Sequence, residues 1–110
     1  MINGCEIRVA FTGDVAKALE LAREELTELG YERAKLSSNA LEMRFAGKLL
    51  TTDLSKFKHK VKVTPDGGGL RFAFGTGIVA SYWTESDERW ARERAEQVVA
   101  AIRAHLATSG

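Results

Sequence analysis

Two glycines and an alanine in the second half of the chain have the spacing of a dinucleotide-binding turn. The stretch FGTGIVA, residues 74–80, places Gly75-x-Gly77-x-x-Ala80 directly after the apolar run LRFAF. In a functional motif of this kind the turn leads at once into a helix, whose N-terminus faces a pyrophosphate inside a β-α-β unit. Here the next helix-start signal comes only at Thr84, and one helix uses the rest of the chain. The sequence therefore predicts a strand end followed by a turn, and no bound cofactor.

A second glycine-rich stretch, TPDGGG, is likewise not predicted to bind a phosphate. It lacks the Lys-Ser/Thr pair that a phosphate-binding P-loop requires, and it lies between two strand-like runs instead of at the start of a helix. Pro65 suits the second position of a turn, and Gly67 is free to adopt a positive φ. The stretch is predicted to be a hairpin turn.

Thiol and imidazole chemistry is restricted to three side chains, Cys5, His59 and His105. A single cysteine excludes an internal disulfide and a cysteine-based zinc cluster. His59 falls on the apolar face of a strand, where a hydrogen-bonded neutral histidine is the commoner state, and Cys5 is predicted to be a small buried apolar residue. His105 lies in the last turn of a helix, where positive charge is favourable. Their spacing supports no metal site and no catalytic set.

The elements that position these residues follow from periodicity. Residues 4–12 alternate between apolar and polar side chains, which predicts a half-buried strand. A helix is predicted from Asp14, as its N-cap, to Gly30, which suits the left-handed residue after a helix. The last helix is predicted to begin near Thr84 and to run to about Leu106.

Four strand-like runs lie between the helices, at residues 31–37, 40–46, 56–64 and 70–74. In the first run Ala34 and Leu36 are predicted to face inward, with Tyr31, Arg33 and Lys35 outward. The second and third runs alternate clearly between apolar and polar side chains. Glu42 and Arg44 lie on the polar face of the second run, and lysines form the polar face of the third. Residues 48–55 form a loop or a continued strand, and residues 78–83 have the length of a further short strand.

The resulting order, β-α-β-β-β-β-α, has one economical arrangement: an α+β fold with an antiparallel sheet and both helices packed on its apolar face. This element order is similar to the repeat unit of the TATA-box-binding protein fold and to the minimal core of helix-grip ligand carriers. The resemblance covers nearly the whole chain but includes no shared motif, so it implies a fold and no function. The strand order of such a fold, 1-5-4-3-2, separates Cys5 from His59 by two strand spacings of ~4.8 Å, beyond hydrogen-bond reach.

Length and composition agree with one small domain spanning residues 1–110. The chain is 45% hydrophobic and 28% charged, which is typical of an ordinary globular protein with one core. Its start, MINGCEIRVA, lacks the basic and apolar regions of a signal peptide, and no apolar run reaches the ~18 residues of a membrane span. The sequence predicts a cytoplasmic protein without a membrane partner.

Charge is segregated between the two predicted faces. The polar face of the sheet carries two acids, Glu6 and Glu42, against eight bases: Arg8, Arg33, Lys35, Arg44, Lys58, Lys60, Lys62 and Arg71. The two helices have the opposite bias, with ten acids against six bases at the spacings of a solvated helix surface. A basic face of this kind binds phosphates or another polyanion. Exposed strand lysines also prevent edge-to-edge aggregation, which is the alternative reason for their presence.

Three functional hypotheses follow. The first is a non-enzymatic interaction module that binds a protein partner or a second copy of itself through a sheet edge or the open sheet face. The second is an electrostatic binder of nucleic acid or another polyanion that does not read base sequence, because aromatic side chains other than Tyr31 are predicted to point inward. The third is an enzyme built on His59, for which no substrate can be named.

Overall fold

The computed structural model describes residues 4–47, 59–75 and 85–108. Its elements are β1 (Gly4–Ala10), α1 (Val15–Glu28), β2 (Tyr31–Leu36), β3 (Leu41–Phe45), β4 (His59–Pro65), β5 (Gly69–Gly75) and α2 (Glu85–Thr108). The strands form a five-stranded sheet in the order β1-β5-β4-β3-β2, in which each neighbouring pair is antiparallel. The predicted α+β class, element order and strand order are confirmed.

Helix α1 begins and ends where its capping residues predict. Asp14 has extended backbone angles, and its carboxylate accepts a hydrogen bond from the backbone N–H of Lys17 at 3.3 Å. After Glu28 the chain turns through Leu29, and Gly30 adopts a φ of 99°, a left-handed value that favours glycine. The buried side of the helix carries small and branched apolar side chains: Ala18, Leu19, Leu21, Ala22 and Leu26.

Helix α2 follows the charge preference of a helix dipole. Its first turn contains Glu85, Asp87 and Glu88, and its last turn contains His105. Its buried side meets β1 and α1 and carries alanines and β-branched residues: Ala91, Ala95, Val98, Val99 and Ile102. The helix starts next to the predicted cap Thr84, which itself lies outside the described residues.

The core forms where the apolar face of the sheet meets these two helix stripes. One cross-strand row runs through Ile7, Phe72, Val63 and Leu41, and all four side chains are at most 1% exposed. The predicted inward positions of β1, β3, β4 and β5 are confirmed wherever they are described. Burying a row of large apolar side chains supplies the main stabilising free energy of such a layer.

Strand β2 departs from the prediction for a clear reason. Arg33 has a φ of 56°, and the register shifts between Glu32 and Lys35, so two residues, Arg33 and Ala34, occupy the space of one. This bulge reverses the alternation within the strand. The outward prediction for Tyr31 is wrong, because its side chain is buried, at 3% exposure.

The inward prediction is wrong for Ala34, whereas the register agrees with the inward direction predicted for Leu36. Ala34 is exposed within the bulge. Leu36 pairs with the buried Leu41, yet it is 37% exposed because β2 is the edge of the sheet. The hydrophobic pattern of YERAKLS contains no signal for the bulge. Alternation alone therefore places Tyr31 on the wrong side of the sheet.

The hairpin between β4 and β5 lies later than predicted. Pro65 is the last residue of β4, paired with Leu70, and the turn residues are Gly67 and Gly68 with φ values of 42° and 87°. Two successive positive φ angles define the tight hairpin turn that matches the twist of the strands. The prediction for Gly67 is confirmed, and the placement of Pro65 within the turn is wrong.

The remaining predictions fall partly outside the described residues. Gly75 is the last residue of β5, so it lies at the end of a strand as predicted. Strand β5 lies between β1 and β4 and is antiparallel to both. Gly77 and Ala80 of the same motif, the segment 48–55, the proposed short strand 78–83 and Lys58 all lie outside the described ranges. Of the helices in those ranges, none is long and apolar enough to cross a membrane.

Candidate anion-binding face

The outer face of the sheet is the side away from both helices, and the register arranges its residues in three rows. Each row crosses the sheet from one strand to its hydrogen-bonded neighbour. The first row is Glu32, Arg44, Lys60, Gly75 and Gly4; the second is Lys35, Glu42, Lys62, Ala73 and Glu6; the third is Thr64, Arg71 and Arg8. Alternation in four antiparallel pairs therefore brings side chains distant in sequence onto one surface.

Six of the eight predicted bases lie on these rows: Arg8, Lys35, Arg44, Lys60, Lys62 and Arg71. All are exposed except Arg44, which is half-buried. Arg33 is exposed but sits in the β2 bulge, outside the rows. Lys58 precedes the first described residue of β4. The face is thus assembled from all five strands.

A third acid, Glu32, joins the predicted Glu6 and Glu42. The bulge places it opposite Arg44, on the outer face, where simple alternation would have turned it inward. Six bases against three acids leave the three rows with a net charge of +3. The residues of α1 and α2 contain nine acids and six bases, a net charge of −3. The described protein therefore has a basic side and an acidic side.

Two pairs of like charges face each other across neighbouring strands of this surface. Arg44 is the register partner of Lys60, and Arg8 is the register partner of Arg71. Like charges placed directly opposite in a sheet are destabilising.

The two pairs differ in how their charge is compensated. Arg71 forms an ion pair with Glu6 at 3.5 Å, and Arg8 lies 3.8 Å from the Asp66 carboxylate while also donating to the Asp66 and Gly67 carbonyls. Within the described residues, Arg44 and Lys60 have no acidic partner within 4 Å. Glu32 is the other register partner of Arg44, whereas Lys60 lies between Arg44 and Gly75, so the positive charge without an acidic register partner is centred on Lys60 of β4.

A shallow depression lies beside the β4 lysines. Its volume is about 280 Å³, and its lining residues are Glu42, Lys60, Lys62, Ala73, Phe74 and Gly75. Ala73 and Gly75 lie on β5 opposite Lys62 and Lys60, so their small size leaves a strip of backbone open beside the lysine side chains. An extended or planar group can lie on this strip with cationic groups beside it.

Aromatic side chains are absent from the described positions of the outer rows. The one predicted exception, Tyr31, is buried on the opposite side of the sheet. Bases of single-stranded nucleic acids are usually bound by stacking on exposed aromatic rings. The described rows therefore have side chains that can bind backbone charge and none that stack on bases.

The interior contains one polar pair that sequence reasoning did not find. The Tyr31 hydroxyl and His59 Nε2 lie 2.5 Å apart and share a buried hydrogen bond; His59 is 2% exposed. His59 also stacks on Phe45, with ring centroids 5.2 Å apart, and meets Trp90 edge-on at 5.3 Å. The prediction of a buried, hydrogen-bonded histidine is confirmed. The partner was missed because the β2 bulge conceals the inward direction of Tyr31.

Arg94 of α2 lies at the border of this cluster. Its guanidinium carbon is 5.2 Å from the centre of the Trp90 ring, and its buried Nε has no hydrogen-bond partner within the described part of the chain. Burial raises the pKa of the Tyr31 phenol well above its usual value, while the positive charge of Arg94 acts in the opposite direction. The helical spacing places Arg94 among the solvated arginines of the last helix, whereas the structure shows it half-buried.

Cys5 and His59 are kept apart as predicted. Cys5 pairs with Phe74 of β5, which in turn pairs with Val61 of β4, so a full strand separates the thiol from the imidazole strand. Burial raises the pKa of the Cys5 thiol to about 11, and the neighbouring carboxylates of Glu88 and Asp87 act in the same direction. The thiol is half-buried and protonated at neutral pH.

The alkylation rate of Cys5 tests this description. Because the thiolate is the reactive form, a pKa of about 11 in place of 9.0 leaves about 100-fold less thiolate at pH 7.5. We expect iodoacetamide to react correspondingly slowly with the folded protein, at a rate that rises with pH up to about 11. The same chain in urea is the control and should react at the ordinary rate. A rate that levels off near pH 9 in the folded protein would contradict the raised pKa.

Metal chemistry has no support in the described ranges, where no three His, Cys, Asp or Glu side chains converge on one point.

His105 is exposed near the end of α2, at a groove between the two helices. The helix carboxylates are mostly exposed, as predicted for a solvated helix surface.

No protein-family model, no curated protein and no solved structure matches the chain.

Proposed function

We propose that this chain is a non-enzymatic binding domain, and that the outer face of its sheet binds the phosphate backbone of nucleic acid without reading base sequence. The observation that carries the proposal is the Arg44–Lys60 pair, two cations held opposite each other on the outer sheet face. Glu32 is the other register partner of Arg44, but among the described residues no carboxylate lies within 4 Å of either cation. A bound phosphate placed between them removes the cost of that arrangement.

The overall charge distribution favours the same surface. The outer rows carry +3 and the helices −3, so a polyanion is attracted to one side of the molecule and repelled from the other. A charge separation of this kind orients an approaching polyanion before contact and raises the association rate. A chain that is nearly neutral overall, with a net charge of +1, can therefore still bind through one face.

The shape of the surface supports backbone binding over base recognition. The strip over Ala73 and Gly75 lies in a shallow depression, and the adjacent Lys60 and Lys62 have long side chains. Lysines of this kind contact phosphates as point charges, which carries no sequence information. The described rows hold no aromatic ring for a base to stack on.

The alternatives receive less support. His59 is buried among Phe45, Phe74 and Trp90 and hydrogen-bonded to Tyr31, an environment that favours a packing role over a role with substrate. The side of α2 that would cover a helix-grip ligand is packed against the sheet, with Ala91, Ala95 and Val98 fully buried.

Fluorescence anisotropy with labelled single- and double-stranded oligonucleotides tests the proposal. We expect binding that weakens steeply between about 50 and 200 mM salt, because phosphate contacts release counterions. The variant Lys60→Glu/Lys62→Glu is expected to bind at least about tenfold more weakly and to lower the salt slope by about two.

The matched control is Lys17→Glu/Arg23→Glu, which changes the net charge equally on exposed positions of α1. It is expected to bind within about twofold of the unmodified chain, since it leaves the outer face intact. Equal loss in both variants would show that only net charge matters and would overturn the assignment to the sheet. Heparin as a competitor separates nucleic acid from polyanions in general, and no binding at low salt by the unmodified protein would end the proposal.

A further inference from the structure

The two edges of the sheet differ in how well they are protected against pairing with another strand. Strand β2 forms one edge and is interrupted by the Arg33 bulge, a common device against edge pairing. Strand β1 forms the other edge. It pairs with β5 over seven consecutive residues without a bulge, and it contains no proline. An uninterrupted edge of this kind is a template for one more strand.

The direction of the β1 backbone groups identifies which residues are available. The backbone N–H of Phe11 donates to Gly68 O, on the β5 side. Because N–H and C=O groups of alternate residues point to the same side of a strand, Val9, Ile7 and Cys5 face β5, and Ala10, Arg8 and Glu6 face away from the sheet. The carbonyl of Ala10 accepts a hydrogen bond from Arg103 of α2. Within the described part of the chain, Glu6 and Arg8 therefore carry the edge groups that remain open to another strand.

The sequence of β1 is complementary to itself in antiparallel pairing. When two copies are related by an axis through Ile7, Glu6 of each copy lies opposite Arg8 of the other, and their outward backbone groups are in hydrogen-bonding register. Shifting the register by two residues in either direction places Glu6 opposite Glu6 or Arg8 opposite Arg8. Only the register centred on Ile7 joins opposite charges.

The core side of the strand fits the same arrangement. Cys5 and Val9 are only partly buried in the single chain, whereas Ile7 is 1% exposed. In the register centred on Ile7, Cys5 of one copy lies opposite Val9 of the other, so both half-exposed apolar side chains gain a neighbour. Opposite charges on one face and apolar pairs on the other give a self-complementary edge, as a two-fold interface requires.

We propose that two copies of this chain form a two-fold symmetric dimer by antiparallel pairing of β1 with β1, which continues the sheet from five to ten strands. Helix α2 runs along β1, with Arg92 near Cys5 and Arg103 at Ala10, so the two copies of α2 lie side by side on the core face of the junction. The dimer also joins the two outer faces into one surface. It does not depend on nucleic-acid binding, and its test needs no ligand.

Sedimentation velocity of the full chain over a range of concentrations tests the dimer. We expect the unmodified protein to shift from monomer to dimer with rising concentration. The single variants Glu6→Arg and Arg8→Glu each place like charges opposite one another at two symmetric positions, and each is expected to raise the dissociation constant at least about tenfold. An equimolar mixture of the two variants restores opposite charges and is expected to form a heterodimer.

A backbone variant makes the test independent of charge. Glu6→Pro removes one outward N–H and the side-chain contact with Arg71, but no backbone hydrogen bond to β5, and edge positions of this type accept proline. It is expected to be folded, by circular dichroism, and monomeric. An unmodified protein that stays monomeric at about 1 mM, far above the concentration needed by a specific dimer, overturns the proposal. A dimer that survives Glu6→Pro, or two charge variants that fail to associate when mixed, overturns the β1 interface.

Discussion

Replacing His59 with alanine is expected to lower the free energy of unfolding by about 4 kcal/mol. The substitution removes a side chain that is 2% exposed and in ring contact with Phe45, Phe74 and Trp90. It also leaves the buried hydroxyl of Tyr31 without the partner it has at 2.5 Å. The free-energy costs of the cavity and of the unsatisfied hydroxyl add together. Their sum is a large share of the free energy of unfolding of a domain this size. Urea denaturation monitored by tryptophan fluorescence measures it.

A double-mutant cycle separates the hydrogen bond from the packing. Tyr31→Phe keeps the ring and removes the hydroxyl, with an expected cost of about 1–3 kcal/mol. His59→Phe keeps a ring against Phe45 and Trp90 but leaves the Tyr31 hydroxyl unpaired. The double variant replaces both partners by apolar rings, and we expect it to be more stable than the sum of the single changes predicts. Additive single changes would contradict a direct bond between the two side chains. If His59→Ala leaves stability within about 1 kcal/mol, the structural role is wrong and a chemical role must be sought.

Replacing Gly69 with alanine is expected to destabilise the protein by about 3 kcal/mol, through the backbone and not through a side chain. A Cβ at this position lies 2.7 Å from the carbonyl oxygen of Val9 on the neighbouring strand, a distance that real Cβ atoms essentially never show. Gly69 is buried and pairs with Ala10, so neither strand can move away without loss of the hydrogen bonds between β1 and β5.

The same turn offers a matched control. Gly67 has a φ of 42°, and a Cβ added there meets no described atom within 4 Å. Asparagine tolerates left-handed backbone angles, so Gly67→Asn is expected to cost less than about 1 kcal/mol. Thermal unfolding of both variants gives the comparison. Equal destabilisation would show that turn flexibility, and not the close approach of β5 to β1, explains the glycines.

Much of the architecture was readable from the sequence because its signals are local. Strict alternation identified β1, β3, β4 and β5, and Asp14 and Gly30 marked the limits of α1 through capping geometry that involves only a few neighbouring residues. Each helix has one apolar stripe and each strand has one polar face. Few arrangements of such elements bury all the apolar surface. The strand order followed from that constraint.

The failures share one cause, which is backbone geometry that side-chain patterns do not encode. The Arg33 bulge reversed the direction of Tyr31 and brought Glu32 to the outer face, and neither change alters the hydrophobic pattern. Likewise the turn residues are Gly67 and Gly68, because the twist of the strands favours two positive φ angles in the turn. By residue type alone, Pro65 is the stronger turn signal.

Tertiary structure alone decided which charges meet. Sequence alternation assigned the bases to one side of the sheet, but only the register shows that Arg44 faces Lys60, with no acid in contact among the described residues, while Arg71 is compensated by Glu6. The Tyr31–His59 bond, between residues 28 apart in sequence, is of the same kind. Periodicity specifies the side of an element on which a residue lies, because that depends on the residue's neighbours in the chain. Its partner depends on how strands from distant parts of the chain align, and that is settled only when the whole sheet packs against its helices.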